Sequence, residues 1–122
     1  MASAINTYPL FVYGTLKRGF GNHHFLQHSH FIDTAHTKLK YALYVSGIPF
    51  VTEKVQVSRI YGEVYMVTEP TLKRIDALEG HPVWYCRKLI PVLLDKGGEI
   101  NAWLYFNDRP TGSLVSNGIF TG

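Results

Sequence analysis

The chain lacks most of the features that would set it apart from ordinary globular proteins. It carries one cysteine, Cys86, in 122 residues. No disulfide framework can form within it, which favours a reducing compartment. No run approaches the ~18 consecutive apolar residues of a membrane span. The start, Met-Ala-Ser-Ala-Ile-Asn-Thr-Tyr-Pro, has neither the basic opening nor the apolar stretch of a signal peptide. Basic runs are also missing. Lys17-Arg18 and Arg87-Lys88 are isolated pairs, and a net charge of +3 without a clustered stripe gives no nucleic-acid footprint. The expectation is a cytoplasmic protein, a monomer, that meets small molecules and neither nucleic acid nor a membrane.

Several catalytic signatures are absent as well. There is no Gly-x-x-x-x-Gly-Lys-Ser/Thr loop, and Gly19-Phe20-Gly21 lacks the further glycine of a dinucleotide fingerprint. There is no Gly-x-Ser-x-Gly elbow. His24 and His28 have the i, i+4 spacing of a helical zinc pair, but the glutamate of His-Glu-x-x-His is missing and no other set completes four ligands. The residues call for no metal and no cofactor. Nothing adjacent in sequence would activate Cys86 as a nucleophile.

What is present is a chain that is 46% hydrophobic and 17% charged. That composition suits one packed domain over residues 1–122 and argues against disorder. Leu10 to Tyr13 reads as a first strand stopping at Gly14, with its register open. Asn22 is placed to cap a short helix through Leu26. Residues 31–57 are strand-like but broken by Gly47 and Pro49, and Ile60 to Val67 alternates again. Thr68 to Gly80 is the clearest helix. Thr68 suits the N-cap, Glu69 and Pro70 suit the first turn, and Gly80 with Pro82 ends it. Trp84 to Asp95 and Ile100 to Phe106 read as a hairpin around Lys96-Gly97-Gly98. Pro91 marks an edge or a bend there. The last dozen residues read as loop. Strands dominate without a helix after each, so a doubly wound sheet is disfavoured. The class expected is α+β, a small mixed β-barrel with one main helix and a short helix packed outside.

Two local patterns carry chemistry. Leu72, Ile75 and Glu79 fall on one face of the helix, so its apolar stripe carries a carboxylate inward. Desolvation, the negative end of the helix and the charge of Asp76 one turn earlier would each make Glu79 hold its proton more tightly. A glutamate tuned toward neutrality suits general acid–base catalysis. The pattern equally allows a solvated rim residue paired with Arg74 or Arg87. The second pattern is Tyr13-Gly14-Thr15-Leu16, a turn directly after a strand. Its successive amides can form an anion nest near Lys17 and Arg18, or be an ordinary turn.

Three blocks then act together. Phe11-Val12-Tyr13-Gly14-Thr15-Leu16-Lys17-Arg18-Gly19 is followed by Asn22-His23. Ile60-Tyr61-Gly62-Glu63-Val64-Tyr65 comes next, and then Leu72 to Tyr85, read as Leu-x-x-Ile-Asp-x-Leu-Glu-Gly-x-Pro-x-x-Tyr. In order and spacing, from about residue 10 to about 106, these resemble the gamma-glutamylcyclotransferase-like family, and within it the branch acting on γ-glutamyl amines. The resemblance implies a barrel with helices outside, with Glu79 as general acid–base residue. It implies that the backbone of Tyr13, Gly14, Thr15 and Leu16 holds the α-carboxylate of a γ-glutamyl group, and that Tyr85 lines the cavity. The implied reaction closes 5-oxoproline and frees an amine, with no metal or cofactor. A non-catalytic binding module on the same fold, or an enzyme removing a γ-glutamyl cap in a biosynthetic pathway, would share these blocks. The tail departs from the pattern. Ser116-Asn117-Gly118-Ile119-Phe120 stands where relatives often have a glycine, an acidic residue and an aromatic.

Overall fold

The computed structural model describes residues 6–122. The first five residues of the N-terminal segment read above lie outside this range. Eight strands form: β1 Thr7–Val12, β2 His30–Thr37, β3 Ala42–Ser46, β4 Ile48–Thr52, β5 Tyr61–Thr68, β6 Cys86–Leu94, β7 Glu99–Phe106 and β8 Ser113–Val115. The main helix, α1, spans Glu69–Glu79, and a single 3-10 turn spans His23–Leu26. No helix among the described residues is long and apolar enough to cross a membrane.

Five strands close a barrel in the order β1-β5-β2-β6-β7, sealed where β1 runs parallel to β7 at Leu10 and Trp103. The other barrel pairings are antiparallel, so the barrel is mixed. Closure removes the exposed edges that an open sheet of this size would present. A small second sheet, β4-β3-β8, stands beside it.

Period-2 alternation fixes what β1 does. Phe11 joins one buried cluster with Val64, Val92, Ala102 and Leu104. Leu10 and Val12 join another with Leu26, Val67, Leu72 and Ile75. The second cluster is where α1 and the 3-10 turn pack on the barrel. The expected helical stripe is therefore the packed one, since Leu72 and Ile75 are buried.

Two local expectations are corrected. The tail is not all loop, because Ser113–Val115 pairs with β3 from Val45 to Leu43 and Phe120 is buried. The Asn22 side chain caps nothing; it reaches back to Thr15. Pro91 stands at a local edge, as its type suggests, because β6 pairs with β2 no further than Val92 and has a strand partner at Pro91 on the β7 side only. It sits just where pairing with β2 stops, opposite Asn101 of β7, so its missing N–H breaks no ladder bond on that side.

A carboxyl and a turn in one cavity

α1 begins after Thr68 and ends on Gly80, whose φ of +65° favours a residue without a Cβ. The Gly80 N–H returns to the Ala77 carbonyl and the His81 N–H to the Asp76 carbonyl. The Tyr85 N–H donates to the Glu79 carbonyl at 3.2 Å. The backbone on both sides of Glu79 is thus tied down, and its side chain projects from a fixed point.

That side chain lines a cavity of about 150 Å³. Sharing the wall are Tyr13, Gly14, Thr15, Leu16 and Tyr85. All six residues singled out from the sequence therefore meet at one place. Asn22, Pro49, Trp84 and Tyr105 also line it; aromatic residues such as Trp84 and Tyr105 are legible from their type as core or pocket wall, whereas Pro49 carries no such signal. The Asn22-His23 pair, which begins three residues after Gly19, belongs to the first motif block and so hinted at more than a cap.

Glu79 is partly buried. Among the described residues its carboxyl makes no ion pair. Burial alone pushes it up to about 7. The rim pairing with Arg74 or Arg87 is not made. Arg74 donates to the Thr71 hydroxyl, and Arg87 belongs to Asp76. Asp76 does not contribute the expected repulsion. Its oxygens accept from Arg87 Nε at 2.8 Å, Arg87 Nη2 at 3.1 Å and the Tyr105 hydroxyl at 2.6 Å. Burial raises the Asp76 carboxyl, but the bonds from Arg87 and Tyr105 and the Arg87 charge outweigh it and hold it below its ordinary value.

Three phenols surround the carboxyl. Tyr13 donates to the Tyr105 carbonyl at 2.8 Å, and Tyr85 donates to the Pro49 carbonyl at 2.7 Å. Burial raises all three, and the neighbouring Glu79 raises them further. They remain neutral and oriented. Because the hydroxyl protons of Tyr13 and Tyr85 are committed to backbone carbonyls, their oxygens keep lone pairs to accept from a ligand.

The turn is held from behind. The Asn22 N–H donates to the Thr15 carbonyl at 3.0 Å. Asn22 Nδ2 donates to Thr15 Oγ1 at 2.9 Å. His23 Nδ1 lies 3.0 Å from the Leu16 carbonyl, and the Lys17 N–H donates to the Gly14 carbonyl at 3.0 Å. The carbonyls are thereby occupied. Among the described residues none accepts from the N–H of Gly14, Thr15 or Leu16. A set of unpaired amides in a cavity wall is the geometry that an anion nest requires. Gly14 is required here for a reason the sequence did not reveal. A Cβ on it would stand 2.3 Å from Pro49 Cγ, so the glycine lets β4 close over the turn.

Fold and site together define a small closed-barrel protein whose cavity sets a proton-holding carboxyl opposite unpaired amides. A family model described as gamma-glutamyl cyclotransferase, AIG2-like, matches residues 10–119. A Methanocaldococcus jannaschii protein named "Putative gamma-glutamylcyclotransferase" is 54% identical over 110 residues, covering 89% of this chain and 92% of that one. Gamma-glutamylaminecyclotransferase C of Danio rerio is 36% identical over 102 residues, covering 76% of this chain and 67% of that one. The crystal structure of an AIG2-like protein of Mus musculus superposes with a TM-score of 0.75 at 29% identity, covering 84% of this chain and 78% of that one. The chain belongs to the gamma-glutamyl cyclotransferase, AIG2-like family and is a gamma-glutamylcyclotransferase-like enzyme.

Proposed function

We propose that the protein converts a γ-glutamyl amine to 5-oxoproline and the free amine, with Glu79 as the general acid–base group. The observation that carries this reading is the meeting of Glu79, unpaired and held up to about 7, with the amides of residues 14–16 in one cavity. A group that ionises near neutrality is matched to proton transfer in both directions.

In this reading the amides of Gly14, Thr15 and Leu16 receive the α-carboxylate. The α-ammonium faces Glu79 and the phenol oxygens of Tyr13 and Tyr85. Glu79 takes a proton from the ammonium, and the freed nitrogen attacks the γ-carbonyl carbon. The new C–N bond closes a five-membered lactam as the old amide C–N bond breaks. Two protons leave the α-nitrogen in all, and two end on the departing nitrogen. Glu79 delivers the one that bond breaking requires, and the other exchanges through solvent as the amine leaves. The attack is intramolecular, so holding the chain folded supplies the orientation advantage. No redox or carrier group is needed. The same reading takes residues 1–122 as one domain, acting as a cytoplasmic monomer.

The test is an assay for 5-oxoproline with γ-glutamyl amines, γ-glutamyl dipeptides and glutathione. Release is expected from at least one, and Glu79→Gln should lower turnover about 10²–10⁴-fold with the fold intact. No release across the panel would leave a binding module as the better reading. Undiminished turnover in the variant would move the proton role to another residue.

A further inference from the structure

The cavity at Glu79 holds about 150 Å³, well below the ~300–1,000 Å³ of pockets that enclose drug-sized ligands. It seats a glutamyl group and little more, so the amine half must lie outside. Trp84 stands in its wall and is also the wall of a second, larger groove of about 610 Å³. That groove has an apolar side made by Trp84, 52% exposed, and Val83, 95% exposed.

Its polar feature is Asn107. This side chain lines the groove yet is only 4% exposed. Asn107 Oδ1 accepts from the Arg109 N–H at 2.8 Å, which fixes which end of the amide turns away from the chain. Among the described residues nothing accepts from Nδ2. Among the described residues the only fully enclosed side-chain polar atom without a partner is Ser58 Oγ, so Asn107 Nδ2 is not sealed in the core and its free N–H is open to an acceptor. The charged groups of the groove are Lys88, which pairs with Glu53, and Asp108 and Arg109, which are exposed.

We propose that this groove receives the departing half of the substrate, an amine with an apolar stem over Trp84 and an oxygen acceptor at its far end for Asn107 Nδ2. The inference rests on the cyclotransferase reading and adds to it a specificity-determining residue. Asn107 touches no reacting atom, so its effect falls on selectivity between amines.

The experiment compares kcat/KM for γ-glutamylethylamide with that for the γ-glutamyl conjugates of 6-aminohexanoate, of its carboxamide and of hexylamine. The native enzyme should prefer the two conjugates ending in an acceptor over the hexylamine one. Asn107→Asp keeps the acceptor for the Arg109 N–H and removes the donor. It should cut the preference for the 6-aminohexanoate conjugate over the ethylamide about tenfold or more, mainly through KM, as expected for loss of a hydrogen bond to a charged group. The preference for the hexylamine conjugate should move much less. Trp84→Ala should weaken all three long conjugates relative to the ethylamide. Equal changes for every substrate in Asn107→Asp, or no preference by the native enzyme, would overturn the groove assignment alone. No 5-oxoproline from any conjugate, the ethylamide included, would overturn the cyclotransferase reading and the groove with it.

Discussion

Asp76 and Glu79 stand one turn apart on the same helix, and the fold treats them in opposite ways. Around Asp76 the barrel supplies a guanidinium fork from β6 and a phenol from β7. The guanidinium also rests 4.3 Å from the Trp103 ring centroid, which holds it in place. Around Glu79 it supplies three phenols, unpaired amides and, among the described residues, no paired cation. Both carboxyls lose water, and only one is compensated. Asp76 stays a structural anion, and Glu79 is left able to carry a proton at neutral pH. The two environments also depend on each other. The Arg87 pairing quenches the charge that would otherwise drive Glu79 still higher.

The contrast can be broken from either side. The largest effect expected is on turnover, where Glu79→Gln removes the proton carrier and costs about 10²–10⁴-fold, read as the rate of 5-oxoproline release. Next is Arg87→Ala. It strands a partly buried carboxylate and should destabilise the fold by about 3 kcal/mol in denaturant titration. It should also move the ionisation in the rate profile to higher pH, because Asp76 then repels the Glu79 charge. A profile that does not move would separate the two carboxyls electrostatically.

Glu79→Gln should also change stability with pH. An ordinary glutamate ionises near 4.5 and the folded Glu79 near 7, so between these values the folded chain binds more protons than the unfolded one. The stability that the protonated form contributes is full below about 4.5 and is lost as pH rises through about 7. The glutamine variant has no such loss. Its advantage over the native chain should grow across that window to at most about 3 kcal/mol, measured by unfolding at a series of pH values. The smallest effect is expected at the turn. Gly14→Ala puts a Cβ against the Pro49 ring and should cost about 1–3 kcal/mol of stability. It should also raise KM by displacing the amides.

How far the sequence could be read follows the same division between local and distant causes. The bounds of α1 were legible because Thr68, Pro70 and Gly80 act through their own backbone. The Leu72–Ile75–Glu79 face was legible because helical periodicity is local. The barrel class and the six residues of the cavity came from the three motif blocks in order. The fate of Asp76 was not legible, because Arg87 reaches it only after β6 folds back beside the helix. Nor was the reason for Gly14, which lies in a proline 35 residues further on in the sequence. Asn22 looked like a cap because its type suits one. Its reach to Thr15 depends on how the turn curls. The pairing of Ser113–Val115 with β3 leaves almost no periodic signal in so short a strand.

The account stands on the protonation state of Glu79, and a site-resolved NMR titration of its side-chain carboxyl carbon in the folded protein reads that state without any substrate. The prediction is a single inflection near pH 7, with Asp76 titrating below the ordinary aspartate range. An inflection of Glu79 near 4.5, the value of an unburied glutamate, would contradict it.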